Sequence, residues 1–312
     1  MTRTEPTSGV YASLAELVAL QHKARGFSFL PSQPIHSLLA GRHASRLRGR
    51  GLDFEELRHY QFGDDVRQID WKATNRTGKT QVRIFSEERE RAVLLVIDQR
   101  LKMFFGSQKN MKSVTAAETA ALAAWRVILA KDRVGAVVFN DSQLVEIRPR
   151  RSRGTVMQIL GAVLEQNHAL AIDAGILSQA QMLNEAVRRV ERLATHDMLV
   201  CLITDGHGVD EETEEITTRI GQHNDVLAIL IYDVLEAELP VAGPLVFTEG
   251  TRQLEVDPQQ DRLRTTFRAS FDKRVRLARE FLLKREIPLI PIGTGEDVAE
   301  QLRRLLGRRS QR

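Results

Sequence analysis

From Ala92 to the end of the chain, short runs of almost purely apolar residues alternate with longer stretches whose apolar residues recur every three or four positions. Residues 92–98, 198–204 and 226–232 have strand length, and a run of that length without polar interruption suits a strand covered on both faces. Between them lie helical patterns. One has Thr115 and Glu118 at capping-box spacing and Leu122, Trp125, Ile128 and Leu129 on its apolar side. Others cover 154–166, 179–194, 211–221 and 259–285, the last with Leu263, Phe267, Val275, Ala278 and Leu282 inward. A short strand at 287–292 precedes a final helix that Thr294 is expected to cap. Residues 133–140 and 143–148 flank Asp141-Ser142 and read as an antiparallel hairpin. Further short edge strands are expected between 240 and 256, around a Glu249-Gly250 turn. Strands alternating with amphipathic helices specify an α/β fold, a doubly wound sheet with one antiparallel strand.

The remainder of the sequence limits what such a domain does. No apolar run is long enough to span a bilayer, and the first eight residues are polar, so no membrane span and a cytoplasmic location are expected. Forty-five Lys and Arg face 41 Asp and Glu, and acids accompany the bases almost everywhere. With aromatics at only 5%, that balance argues against a nucleic-acid partner. The arginines at 303, 304, 308, 309 and 312 fit a solvated helix end. The lone Cys201 lies inside an apolar run and reads as a small buried hydrophobe.

Upstream, a helix from about 14 to 24 has Ser13 and Glu16 at capping-box spacing. Residues 41–91 then hold twelve basic and nine acidic residues with large apolar residues between them, a composition that folds. The expected division is therefore an N-terminal helix and charged extension over 1–91, and an α/β domain over 92–312. In the extension, Asp64, Asp65, Asp70, Arg58, Arg67 and Lys72 can form a charged network over an apolar floor of Tyr60, Phe62 and Trp71. That block serves either as a clamp fastening the extension to the domain or as a recognition surface.

Ligands of open α/β sheets bind beyond the carboxyl ends of the strands. Two such ends carry acids here, Asp98 and Asp205. Carboxylates on neighbouring strand ends can gather a divalent cation, or each can merely cap the turn that follows.

Asp98, the segment Arg133-Val134-Gly135-Ala136-Val137-Val138-Phe139 and Ile203-Thr204-Asp205-Gly206 together resemble a von Willebrand factor A domain. The preceding stretch, GRGLDFEELRHY at 49–60 and GDDVRQIDWKAT at 63–74, resembles more specifically the domain of unknown function 58 family. Its signature residues here are Arg58, Tyr60, Gly63, Asp64, Asp65, Arg67, Asp70, Trp71 and Lys72. The resemblance implies a von Willebrand-like fold and partnership with a MoxR-type AAA+ ATPase. In that setting the protein acts as an adaptor or co-chaperone in assembling or maturing other complexes.

One departure bears on chemistry. Metal-binding A domains place Asp-x-Ser-x-Ser at the first strand end, where this chain has Asp98-Gln99-Arg100-Leu101-Lys102. A hydroxyl ligates Mg²⁺, whereas guanidinium and ammonium groups have no free lone pair and repel it. The downstream threonine ligand falls near Gln181 or Ser178. No metal and no other cofactor is therefore expected, with Arg100 or Lys102 pairing with Asp98 and Asp205 in the cation's place. The expected role is non-enzymatic, with Asp98, Arg100, Lys102, Asp205 and His207 meeting the ATPase or its client protein. The alternative is a metal-dependent hydrolase using Asp98 and Asp205. Gly78-Lys79-Thr80 imitates the end of a phosphate-binding loop, but the first glycine it needs is Ala73.

Overall fold

The computed structural model describes residues 9–27, 52–62, 64–87, 90–171, 175–237, 245–249, 252–256 and 261–307. Gly63, the glycines at 49 and 51 and the arginines at 308, 309 and 312 lie outside them, as do the side chains of Leu263, Phe267 and Ala278. The chain forms two compact units, Met1–Ser32 with Arg91–Arg312, and Gln33–Glu90. The helix at the N-terminus thus packs with the larger unit. It is α1, Leu14–Ala19, capped by the Ser13 hydroxyl and followed by a 3₁₀ turn over Leu20–His22.

In the smaller unit β1 (Leu52–His59) pairs antiparallel with β2 (Gln81–Glu87), and α2 (Trp71–Thr77) lies between them in sequence. Gly78, at φ +68°, ends α2 in the left-handed conformation.

The larger unit continues with β3 (Ala92–Asp98), α3 (Lys112–Leu129), β4 (Arg133–Phe139), β5 (Leu144–Arg150), α4 (Arg153–His168) and α5 (Met182–Leu193). After these come β6 (Leu199–Thr204), α6 (Glu211–Gly221), β7 (Asp225–Tyr232), α7 (Val234–Ala237), β8 (Leu245–Glu249) and β9 (Arg252–Val256). Last are α8 (Asp261–Lys284), β10 (Leu289–Gly293) and α9 (Val298–Leu306). The main sheet runs β10-β7-β6-β3-β4-β5, parallel except for the β4–β5 hairpin. This is the doubly wound order with the single antiparallel strand that the sequence patterning calls for.

β3 lies between β4 and β6, and every one of its residues is buried. Its side chains alternate across the sheet. Val93, Leu95 and Ile97 join the core under α1, α3, α4 and α9. Ala92, Leu94 and Val96 join the core under α5, α6 and α8. Six of the fourteen buried residues of α3 are alanine, small side chains that let a helix pack closely. At its far end the Trp125 indole donates to the Leu17 carbonyl at 3.1 Å and so anchors α1. Cys201 is buried in β6, and burial pushes its thiol up to about 12.

Three sequence expectations are corrected. The helix after β3 begins at Lys112 behind Met111, which makes no side-chain cap, and Thr115 is buried inside it. α9 is capped by Asp297, whereas the Thr294 hydroxyl donates to Asp233. The two strands expected about Glu249-Gly250 are present as β8 and β9, but they pair with each other as a separate two-stranded sheet instead of edging the main one.

Glu118, on α3, is held up at about 6 by burial, against the opposing pull of Lys109 and an Asn110 hydrogen bond. Its folded value lies above the ordinary 4.5, so the stability it contributes is complete below pH 4.5 and is lost as pH rises through about 6. At pH 7 the charged side chain costs about 2 kcal/mol. Glu118→Gln is therefore expected to raise the urea midpoint at pH 7, by an amount equivalent to about 2 kcal/mol, and to leave it unchanged at pH 4.

Candidate functional site

The parallel pairing of β3 with β6 sets their carboxyl ends side by side, which brings Asp98 and Asp205 together at the edge where such folds bind ligands. Both are buried, Asp98 to 0% and Asp205 to 2% exposure. Neither is free. The Arg100 backbone N–H and Nε each donate to Asp98 Oδ1 at 3.0 Å. Its Nη2 donates to Oδ2 at 2.7 Å, and the Thr204 hydroxyl donates to the same oxygen at 2.7 Å. Arg100 is itself 2% exposed and lies over the Phe139 ring. Its remaining donors go to the carbonyls of Ala180, at 3.3 Å, and His207, at 2.8 Å. Burial alone would lower the guanidinium's affinity for its proton; Asp98, with smaller help from Asp205 and Asp141, reverses this and raises it.

The cation on Asp205 is Lys112, a residue the sequence reading missed. Its ammonium donates to Asp205 Oδ2 and to Glu236 Oε1, each at 2.7 Å. The other Asp205 oxygen accepts the His207 N–H at 2.9 Å. Burial pushes the Asp205 carboxyl up, and Lys112, with the His207 N–H and Arg100, more than offsets this, so the group sits below its ordinary 3.8. The same contact holds Lys112 charged against a burial that would discharge it. Lys102 lies half-buried in the 3₁₀ turn Leu101–Met103.

A third carboxylate ties in the neighbouring loops. Asp141, in the β4–β5 turn, accepts the Leu101 N–H at 2.6 Å and the Gln179 N–H at 2.7 Å. The loop after β6 reverses through Gly206 and Gly208, at φ +71° and +84°. A Cβ at Gly208 would meet the Ala180 Cβ at 3.0 Å, so glycine is needed there for close approach as well as for conformation. Gln181 and Ser178, the expected positions of a threonine ligand, are exposed, and the Ala180 carbonyl faces Arg100 instead.

This donor set does not fit a divalent cation. Both Asp98 oxygens carry at least two hydrogen bonds, and both Asp205 oxygens are occupied, one by an ammonium. No group of three or more His, Cys, Asp or Glu suited to a metal occurs among the described residues. The burial of Asp98, Arg100 and Asp205 also removes them from direct contact with a partner. They position the loops that carry Lys102 and His207.

In the smaller unit the signature residues divide. Arg58 grips Asp64 with two bonds, at 3.0 and 2.7 Å, and Arg58 with the Gln61 N–H holds the carboxyl below its usual range. Asp65 accepts the Arg67 N–H at 2.9 Å. Asp70 caps α2 through the Ala73 N–H and pairs with Arg83, both at 2.9 Å; these two contacts, in that order, lower its pKa. The expected apolar floor is not formed: Tyr60 is half-buried, but Phe62 and Trp71 are 105% and 70% exposed.

Among known proteins, the uncharacterized protein Rv1480 of Mycobacterium tuberculosis is 29% identical over 230 residues, 72% of this chain and 70% of that protein. The uncharacterized protein Mb1516 of Mycobacterium bovis matches with the same identity and coverage. Of solved structures, the conserved hypothetical protein BatB from Bacteroides thetaiotaomicron aligns with a TM-score of 0.38 at 12% identity, over 69% of this chain and 96% of that one. The von Willebrand factor type A structure from Catenulispora acidiphila aligns with a TM-score of 0.31 at 14% identity, over 49% and 35% of the two chains. The family model described as protein of unknown function DUF58 matches residues 56–278, most of the chain, and the chain belongs to that family.

Proposed function

We propose that the protein is a non-enzymatic adaptor of the cytoplasm whose recognition face is the loop cluster at the carboxyl edge of the main sheet. Its partner is a MoxR-type AAA+ ATPase, with which it assembles or matures other protein complexes; this part of the reading rests on the family resemblance. The observation that carries the non-enzymatic role is the pairing of Asp98 with Arg100 and of Asp205 with Lys112, all four buried. A hydrolase built on these acids would need them free to hold a metal and its activated water.

Two measurements test the reading. Calorimetric titration of the full chain with Mg²⁺ and Mn²⁺ is expected to give no saturable heat; micromolar binding that Asp98→Ala abolishes would contradict the built-in cations. Affinity capture from the native cell is expected to recover an AAA+ ATPase with the wild type, and less of it with Lys102→Ser. Capture that yields no such ATPase would end the proposed partnership.

A further inference from the structure

Between Leu57 and Arg83 the chain holds six cations, Arg58, Arg67, Lys72, Arg76, Lys79 and Arg83, against three acids. Two of those acids, Asp64 and Asp70, are neutralised by Arg58 and Arg83. Arg67, Lys72, Arg76 and Lys79 are exposed and enter no ion pair among the described residues. Beside them, Phe62, Val66 and Trp71 stand 105%, 61% and 70% exposed. Three large apolar residues exposed within ten positions, with unpaired cations next to them in sequence, suit a binding surface.

The backbone that displays them is held in place. The Arg58–Asp64 pair and the Asp64 N–H to Gln61 carbonyl bond fix the turn carrying Phe62. The Asp65 and Asp70 caps fix the segments carrying Val66 and Trp71. The polar half of the signature thus supports a rigid display of its apolar half.

We propose that this tip docks on the surface of an anionic lipid bilayer. Aromatic rings flanked by Lys and Arg settle at the boundary between headgroups and acyl chains, and the cations meet the lipid phosphates. The unneutralised charge on the tip is predominantly positive, as such a surface requires. Single-stranded nucleic acid would instead be met by rings arrayed on a sheet face, whereas these rings lie on a turn and at the start of α2, off β1 and β2. The contact is peripheral, and none of the described helices is long and apolar enough to cross a membrane. The inference is independent of any ATPase partner.

The chain has two tryptophans, and Trp125 is buried at 2% exposure, so a change in emission on docking reports Trp71. Titrating the full chain with phosphatidylglycerol–phosphatidylcholine vesicles is expected to shift emission to the blue and to float the protein with the lipid. Pure phosphatidylcholine vesicles should do neither, and salt at about 1 M should release the bound protein. Lys72→Gln/Arg76→Gln should weaken vesicle binding about tenfold or more. Phe62→Ser/Trp71→Ser should abolish flotation while leaving the unfolding midpoint in place, since both side chains are exposed. Any of four results would overturn the proposal: no shift and no flotation with anionic vesicles, flotation retained by Phe62→Ser/Trp71→Ser, an emission already blue without lipid, or the same shift with oligo-dT at lower concentration.

Discussion

Arg100→Ala is expected to destabilise the protein by about 3–5 kcal/mol, because it leaves the Asp98 carboxylate buried with only the Thr204 hydroxyl and one backbone N–H. The loss exceeds that of an ordinary ion-pair deletion. Arg100 also satisfies the Ala180 and His207 carbonyls, so three loops lose a common tether at once. Equilibrium urea unfolding reads the effect directly. Asp98→Asn in the Arg100→Ala background should restore part of the stability, since the stranded charge is then gone. A double variant no more stable than Arg100→Ala alone would place the damage in the carbonyls and not in the charge.

Lys112→Met should cost a similar amount, about 3–5 kcal/mol, and its cost should depend on pH. In the wild type the Asp205 carboxyl lies below its ordinary 3.8, so the stability it supplies is present above that pH and is lost as pH falls through the lower folded value. Without the ammonium the main opposition to burial is gone and the folded pKa rises, so the variant retains less of that stability as pH rises toward neutrality. The gap between variant and wild type is therefore narrowest below the wild type's folded value and widens as pH rises toward neutrality. Unfolding midpoints across that range check it, and a gap independent of pH would show that packing, not charge, is what Lys112 supplies.

The sequence exposed the frame of this fold because a strand buried on both faces leaves no polar position to obscure it. Ala92–Asp98 and its partners are such strands, and the antiparallel hairpin was legible from the Asp141-Ser142 break. Asp98 and Asp205 followed from strand ends, and the pairing of Arg100 with Asp98 followed from replacement of a hydroxyl by a cation. Lys112 lay beyond those arguments, since nothing local ties it to an acid 93 positions away. One signal exists once the helix start is known. A lysine opening a long helix sits at the positive end of its dipole, an unfavourable place unless a distant carboxylate compensates. From sequence Asp141 reads only as a turn residue, because its two backbone partners come from loops without periodicity. The exposure of Phe62 and Trp71 was hidden for the opposite reason: large apolar residues in a charged segment suggest a floor, and composition cannot say which side of a turn a ring takes.

The guanidinium between Asp98 and the His207 carbonyl has one more consequence. An ion held by ligands alone can be stripped by a chelator or exchanged for calcium, so a face built on it reports the ionic state of its surroundings. Here the charge is covalently part of the chain. The protein should keep one loop arrangement in EDTA and in excess magnesium alike.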